Sequence, residues 1–435
     1  MKRNLLSLLL ALLLPMMANA DVVEIGGIYY NLVSKVGTAE VVSNPNKYKG
    51  VVNIPESVTY KGSAYRVKSI GENAFSVCRD LTAVNIGNGV ASIGYAAFSD
   101  CSNLTSVKIG KGVTSIGDRA FSSCRGLASV NIPDSVTTIG NYVFYNCYGL
   151  TSVNIGNNVT TIGNYAFWYC RNLVSVNIPE GATSIGFRAF YGCSRLKSVN
   201  IPGSVTEIGE AAFTYCEGLT SVNIGYGVTT IGEYTFSHCP SLTSITIPGS
   251  VTTIGKGTFQ YCSGLTSVNI ESGVPCISEG AFQHCSGLTS ITIPESVTSI
   301  DNSVFYNCSS LTCVNIPESA TTIGDWAFAS CTSLTSVTIP ENVTSIGNAA
   351  FSGCTSLTSV TIGSGVTTIG EYTFSHCPEL TDVYSLAEEV PDTGEDNNVF
   401  EGSYIGYATL HVPGSYLSIY KAARLWSGFK SIVAI

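Results

Sequence analysis

The stretch 150–172, LTSVNIGNNVTTIGNYAFWYCRN, returns almost unaltered from Leu81 to Glu379, and this 23-residue period is what most narrows the folds open to the chain. Counting from each opening Leu, apolar residues recur at offsets 0, 3, 5, 9 and 12, then a small residue, a Phe and a Cys at offsets 16, 17 and 20. Phe runs from Phe75 through Phe98 and Phe121 to Phe374, and Cys from Cys78 through Cys101 and Cys124 to Cys377, fourteen of each at a constant step of 23. A fixed period of about 20–30 residues marks a solenoid, in which each repeat forms one coil stacked on the last. One coil carries too few large apolar side chains to offset the ordering of 23 residues, so stability has to belong to the array. A globular chain of 435 residues would divide into roughly two or three domains, but a solenoid grows by repeat number, and one elongated domain is expected.

Each unit divides into three parts. L-x-x-V-x-I alternates as a short strand does, with Val84 and Ile86 or Val107 and Ile109 facing in. V-T-x-I-G offers a second strand, and the Gly at offset 13 is read as a position that wants positive φ. Ser278 and Asp301 replace that Gly, so local distortion of the coil is expected there. A-F-x-x-C spaces Phe and Cys three apart, which lets one helical or 3₁₀ turn bury both.

The flanks depart from the period. Residues 1–20 begin with Lys2 and Arg3, continue through an apolar run at 5–14 and end in Ala18-Asn19-Ala20, which reads as a cleavable secretory signal. The run is well short of the roughly 20 residues a spanning helix needs, and no transmembrane segment is expected. Residues 21–50 read as an N-terminal β-hairpin cap turning at Gly26-Gly27, and 51–379 as the solenoid, with a second small hairpin inserted near Gly62-Ser63. Residues 380–435 read as a last irregular rung and a C-terminal cap. In that cap 388–398 is taken as an exposed loop, and Tyr407, Leu410, Val412 and Pro413 as offsets 0, 3, 5 and 6 of the rung. Ser415 is placed as N-cap of a helix with Tyr416, Ile419, Tyr420, Ala423 and Trp426 on one face.

Charged residues are 12% of the chain and the net charge is −9, a balance that excludes nucleic acid and anionic membranes as expected partners. Sixteen cysteines in an exported chain raise the question of disulfides. Thiols on successive rungs would stand ~4.8 Å apart, beyond the ~3.8 Å Cβ separation of a disulfide, so buried unpaired thiols are expected. Cys276 and Cys313 lie off the ladder, and Cys313 at offset 2 should point outward. His238, His284 and His376 each precede a ladder Cys, but rung spacing keeps them too far apart for one zinc, and no metal or cofactor is expected. They are read as exposed polar residues. No nucleophile, base and orienter converge in the pattern, and no enzyme activity is expected.

The candidate binding residues are aromatic. In the middle repeats the positions around Ala-Phe and before Cys carry Tyr142, Tyr145, Tyr165, Trp168, Tyr169, Phe187, Tyr191 and Tyr215, all expected to face solvent. Such a patch is either a recognition surface for protein or sugar, or an outer ladder of rings packed on one another. On the opposite sheet, expected to be concave, Asn131, Asn154, Asn177, Asn200 and Asn223 form a row that binds ligand or satisfies itself.

The pattern L-T-S-V-N-I-P-x-x-V-T-x-I-G-x-x-A-F-x-x-C-x-x closely resembles the BspA-type leucine-rich repeat, over about 52–413. The resemblance implies an α/β solenoid, a right-handed leucine-rich repeat superhelix of about 14 coils, rich in β-strand with short helical or 3₁₀ turns. It also implies a secreted or cell-surface binding protein whose relatives include adhesins. The expectation is a monomer that engages an extracellular protein, or alternatively a glycan through the Tyr/Trp patch.

Overall fold

The computed structural model describes residues 21–394 and 398–435, so the export signal read at 1–20 lies outside the described residues. The chain is a β-solenoid of about 16 turns with roughly 23 residues per turn and little helix. The solenoid expected from the period, and the leucine-rich repeat form that the resemblance implies, are borne out, with about 16 turns in place of about 14 coils.

Each turn has a first strand, such as Ser152–Asn154, and a second, such as Thr161–Ile162. First strands pair in parallel one period apart, with Val130 opposite Val153 and Asn131 opposite Asn154. Second strands do the same, with Ile139 opposite Ile162 and Ile162 opposite Ile185. Because the register step equals the sequence period, every side chain lies over its own repeat equivalent. Threonine hydroxyls tie the coil corners in the same direction: Thr160 Oγ1 donates to the carbonyl of Thr137 at 3.2 Å, and Thr183 Oγ1 to that of Thr160 at 3.1 Å. These bonds give the corner threonines a structural role.

The third side of each coil corrects the helical reading of A-F-x-x-C. Bonds from residue i to i+3 are present, with Cys147 N donating to Phe144 O at 3.2 Å. Yet Tyr142 and Asn146, at offsets 15 and 19, both have φ of 58°, which ends any helix. The segment is a run of turns whose amides point along the solenoid. Tyr142 N donates to Asn164 O, Phe144 N to Ala166 O and Asn146 N to Trp168 O, at 2.9, 2.7 and 2.8 Å. A third ladder of backbone hydrogen bonds thus joins the coils, and it offsets the roughly 1–2 kcal/mol a non-glycine residue loses in the left-handed region.

Glycine at offset 13 turns out to serve another purpose. Positive φ falls on offsets 15 and 19, whereas Gly94 has none, and a Cβ there would lie 2.8 Å from Glu72 N on the preceding coil. Close approach of backbones selects this glycine. The distortion anticipated at Ser278 coincides with a seam, whereas the strand before Asp301 pairs with both of its neighbours. The second-strand sheet that begins in the N-terminal cap ends at Thr253–Ile254, and a new one begins at Cys276–Ile277. Pro275, having no N–H, cannot repeat the bond that Thr252 N makes to Thr229 O at 2.9 Å. The Asp301 carboxyl, half-buried where other coils have glycine, is pushed up by burial, with Glu279 adding to the shift.

Inside, the columns are continuous. Phe75 through Phe374 stack ring on ring, for example at 5.1 Å and 0° between Phe98 and Phe121 and at 5.5 Å and 10° between Phe351 and Phe374. Tyr48 starts the column 4.3 Å from Phe75. All sixteen cysteines are free. Each ladder thiol from Cys101 onward reaches back to the carbonyl of the preceding coil's Phe, as Cys147 Sγ does to Phe121 O at 3.1 Å. Burial pushes the thiols of Cys101, Cys147, Cys308 and Cys377 up to about 12. Cys313 is exposed and Cys276 half-buried.

At the N-terminus Asp21–Ile25 and Ile28–Val33 form an antiparallel hairpin, and Thr38–Val41 continues it in parallel onto Ser63–Ile70. Ser63–Ile70 also pairs with Ser57–Tyr60 around Lys61-Gly62, so the inserted hairpin is the bridge from cap to second-strand sheet. At the C-terminus three expectations change. The stretch 388–398 is not simply exposed: Pro391 is buried, and Ile369 N donates to Asp392 O at 2.8 Å, so it supplies a second-strand rung. Phe400 then stacks on Phe374 at 5.6 Å, and Ser403 takes the place of Cys, donating from Oγ to Phe374 O at 2.6 Å. Tyr407, read as an inward offset 0, is 80% exposed because the coil has gained residues before Leu410. The helix is one short piece, Leu417–Ala422, with no side-chain cap from Ser415, and Ile419 points out while Tyr420 and Trp426 are buried. A last strand, Ser431–Ala434, which the sequence reading missed, pairs with Thr409–Val412.

Three outcomes follow from this packing. Gly209→Ala would place a Cβ 2.7 Å from Gly186 C, and urea denaturation should show a loss of about 2 kcal/mol. Native-state hydrogen exchange should show faster exchange at 275–279 than at 229–233, because the seam removes ladder bonds; equal protection would contradict it. Because the folded thiols ionise above the unfolded thiol value of about 8.5, stability is complete below that pH and falls as pH rises toward the folded values, by ~1.4 kcal/mol per thiol per pH unit. Calorimetry under reducing conditions should therefore show Tm dropping steeply above pH 9; a flat Tm to pH 10 would contradict buried, neutral thiols.

Candidate functional site

The eight aromatic candidates come from the turn side of four consecutive coils, at offsets 14, 15, 18 and 19. The third ladder sets their positions: left-handed residues at offsets 15 and 19 carry the turn ribbon along each coil, and the 23-residue register superimposes equivalent side chains. The structure brings all eight onto one face. Seven of them are half-buried and not free to solvent as expected, while Tyr215 is 37% exposed.

Their burial is mutual. Tyr142 stacks on Tyr165 at 4.6 Å and Tyr145 on Trp168 at 4.5 Å and 2°. Tyr165 meets Phe187 edge-on at 5.1 Å, Trp168 meets Tyr169 at 4.0 Å, and Tyr191 meets Tyr169 at 5.6 Å and Tyr215 at 5.4 Å. The ladder also runs further than the sequence reading took it. His238 stacks between Tyr215 and Tyr261 at 4.4 and 4.6 Å, and His284 lies 4.4 Å from Tyr261 and 5.4 Å from Tyr306. These two histidines are half-buried members of the ladder, whereas His376 is exposed as expected. Burial lowers the His238 and His284 imidazoles, which keeps them neutral at neutral pH. Burial raises the Tyr191 phenol, as do the neighbouring Tyr169 and Tyr215. Reading offsets 18 and 19 as columns, and not as isolated exposed positions, would have found these residues.

Arginine is the second component. Five of the nine arginines, Arg119, Arg125, Arg171, Arg188 and Arg195, belong to the coils or coil junctions of this patch. Arg119 lies over Tyr142 at 4.4 Å and Arg188 over Phe187 at 4.8 Å. Arg125 and Arg171 both sit over the Tyr148 ring, at 5.6 and 5.5 Å, and Arg171 also lies 4.7 Å from Tyr169. None of the salt bridges among the described residues uses any of these arginines. These guanidiniums, held by no close ion pair, lie on flat apolar rings, which equips the face to hold anions and planar or ring-shaped groups. Three buried polar atoms here, Asn146 Oδ1, Trp168 Nε1 and Arg188 Nε, lack a hydrogen-bond partner among the described residues.

The asparagine row lies on the first-strand face, where Asn154 Nδ2 donates to Asn131 Oδ1 at 2.5 Å and Asn223 Nδ2 to Asn200 Oδ1 at 2.6 Å. Much of the row therefore satisfies itself. Lys108 interrupts it, and a hollow of about 750 Å³ runs there past Asn88, Lys111, Asn131 and Asp134. It is larger than the hollow of about 440 Å³ beside Tyr169 and Tyr191 but has no aromatic wall, so it offers hydrogen bonds with little apolar contact. Among the described residues no three His, Cys, Asp or Glu side chains converge as metal ligands, and no helix is long and apolar enough to cross a membrane.

Known proteins place this architecture. The BspA-type leucine-rich repeat region model matches residues 68–197, 183–312 and 298–421. A leucine-rich repeat protein from Bacteroides ovatus ATCC 8483 is 34% identical, with a TM-score of 0.72 over 83% of this chain and 94% of that one. A leucine-rich cell surface protein from Faecalibacterium prausnitzii A2-165 is 27% identical over 87% of this chain and 96% of that one, with a TM-score of 0.45. No curated protein matches the chain. The repeat match spans most of the described residues, and the chain belongs to the BspA-type leucine-rich repeat family.

Proposed function

We propose that this protein is an exported, non-enzymatic binding protein that acts as a monomer at or outside the cell surface and engages an extracellular macromolecule through its aromatic and arginine face. Membership of the repeat family implies protein interaction or surface binding. The observation that carries the choice of face is the ladder of Tyr, Trp and His rings from Tyr142 to Tyr306, with arginines stacked on it and unneutralised. Aromatic and arginine side chains dominate binding energy at protein interfaces because they bury large area at small entropic cost. Here the rings are already fixed by one another, so little side-chain freedom remains to be lost on binding. The interior columns supply rigidity and the turn side supplies the contact; host or neighbouring-cell proteins are the intended partners in this reading. Export rests on the 1–20 signal pattern.

A second reading, carbohydrate recognition by the same patch, is favoured by one observation: the ladder has a hollow walled by Tyr169, Tyr191 and Tyr215.

The test is solid-phase binding of the chain starting at Asp21 to a panel of matrix proteins, plasma proteins and glycans. Saturable binding is expected, and Trp168→Ala and Tyr215→Ala should each weaken it at least tenfold without changing the far-ultraviolet circular dichroism. Absence of saturable binding, or binding indifferent to both substitutions, would contradict the proposed face.

A further inference from the structure

The aromatic face has one interruption that the turn geometry does not require. Offsets 19 and 21 carry Tyr169 and Arg171 on one coil and Tyr215 and Glu217 two coils later, but Gly192 and Ser194 in between. Left-handed backbone is no reason for the glycine: Gly192 has φ of 71°, and Tyr169 and Tyr215 adopt 52° and 58° at the same offset. Shrinking both columns on one coil opens a hollow of about 440 Å³ between the flanking rings. Tyr169 leans over the gap so far that a Cβ on Gly192 would collide with its ring. Gly353 stands at the same offset, but between Ser330 and His376 and so without a ring on both sides.

The lining is chemically mixed in a specific way. Tyr169, Tyr191 and Tyr215 give flat apolar walls with phenol hydroxyls at their edges. Ser194 adds a hydroxyl, Glu217 one carboxylate and Arg171 one guanidinium. Arg171 is held by its stacking on Tyr148 and Tyr169, and no salt bridge among the described residues neutralises it. A saturated six-membered ring presents C–H groups that pack on aromatic faces and hydroxyls that pair with Glu217, Ser194 and the phenols. A guanidinium that is oriented and unpaired selects a carboxylate, which it binds by two parallel hydrogen bonds. Glu217 opposes a second negative charge, so the lining fits one carboxylate flanked by hydroxyls.

We propose that this hollow is a subsite for a carboxylate-bearing pyranose, that is, a hexuronic acid residue of an acidic glycan. The assignment rests on the carbohydrate reading of the patch and adds to it the ligand class, the orienting residue Arg171 and the space made by Gly192. An acidic protein thereby gains a local means of holding an acidic polymer.

The experiment is titration calorimetry of the chain starting at Asp21 with trigalacturonate, its methyl ester and a glucuronate-containing tetrasaccharide. Saturable binding of at least one uronate is expected. The methyl ester should bind trigalacturonate's site at least tenfold more weakly if galacturonate is the uronate held. Arg171→Gln should lower uronate affinity at least tenfold, and Gly192→Tyr, whose Cβ must displace the Tyr169 ring and whose own ring refills the column, should abolish it without changing the far-ultraviolet circular dichroism. Equal affinity for acid and ester with Arg171→Gln unchanged would overturn the carboxylate assignment while leaving the carbohydrate reading standing. No saturable binding of either uronate would overturn the subsite.

Discussion

The structure depends on how closely successive coils lie on each other. Hydrogen bonds from each coil to the next run through both strands and through the turn side, and they hold backbones near enough that Gly94 or Gly209 has no room for a Cβ. With strands ~4.8 Å apart, equivalent side chains must stack, and rings, thiols and branched aliphatics become interior columns. The Phe stack from Phe75 to Phe400 follows from this spacing, as does the protonated state of the thiols. The same constraint makes the array cooperative between neighbours, and the second-strand ladder is broken at the seam near Pro275 and Ser278.

The repeat made most of this legible in advance. The offsets place Leu150, Val153, Ile155, Val159 and Ile162 inward and all five are buried, and the unpaired thiols follow from rung spacing alone. The failures share one cause: local conformational preference gave way to contacts between coils. Glycine at offset 13 suggested positive φ, but the neighbouring backbone is what selects it. Tyr142, Tyr165 and their equivalents accept a left-handed conformation that their residue type disfavours, because their amides then reach the next coil. Phe400 and Ser403 escaped notice because three extra residues shift them out of period, although they complete the interior column.

The candidate face was only half legible. The sequence locates Tyr142, Tyr165, Trp168 and Tyr191 on one side of the solenoid, but their mutual packing arises only when coils stack. His238 and His284 looked like isolated polar residues and are rings in that ladder. The arginines, scattered in sequence from Arg119 to Arg195, acquire meaning once they are seen lying on those rings. A repeat that fixes everything inward leaves variation only outward, and variation concentrated on one face is where recognition can be written.

The positions of the sulfur atoms report most directly on whether identical coils share one register. Anomalous diffraction from crystals of the chain starting at Asp21, collected at a wavelength that brings out sulfur, would reveal them without reference to any fold. The account predicts fourteen interior peaks in one gently curving file, spaced ~4.8 Å apart, with those of Cys276 and Cys313 lying off it. Sulfurs paired at about 2 Å, or scattered over the exterior, would contradict it.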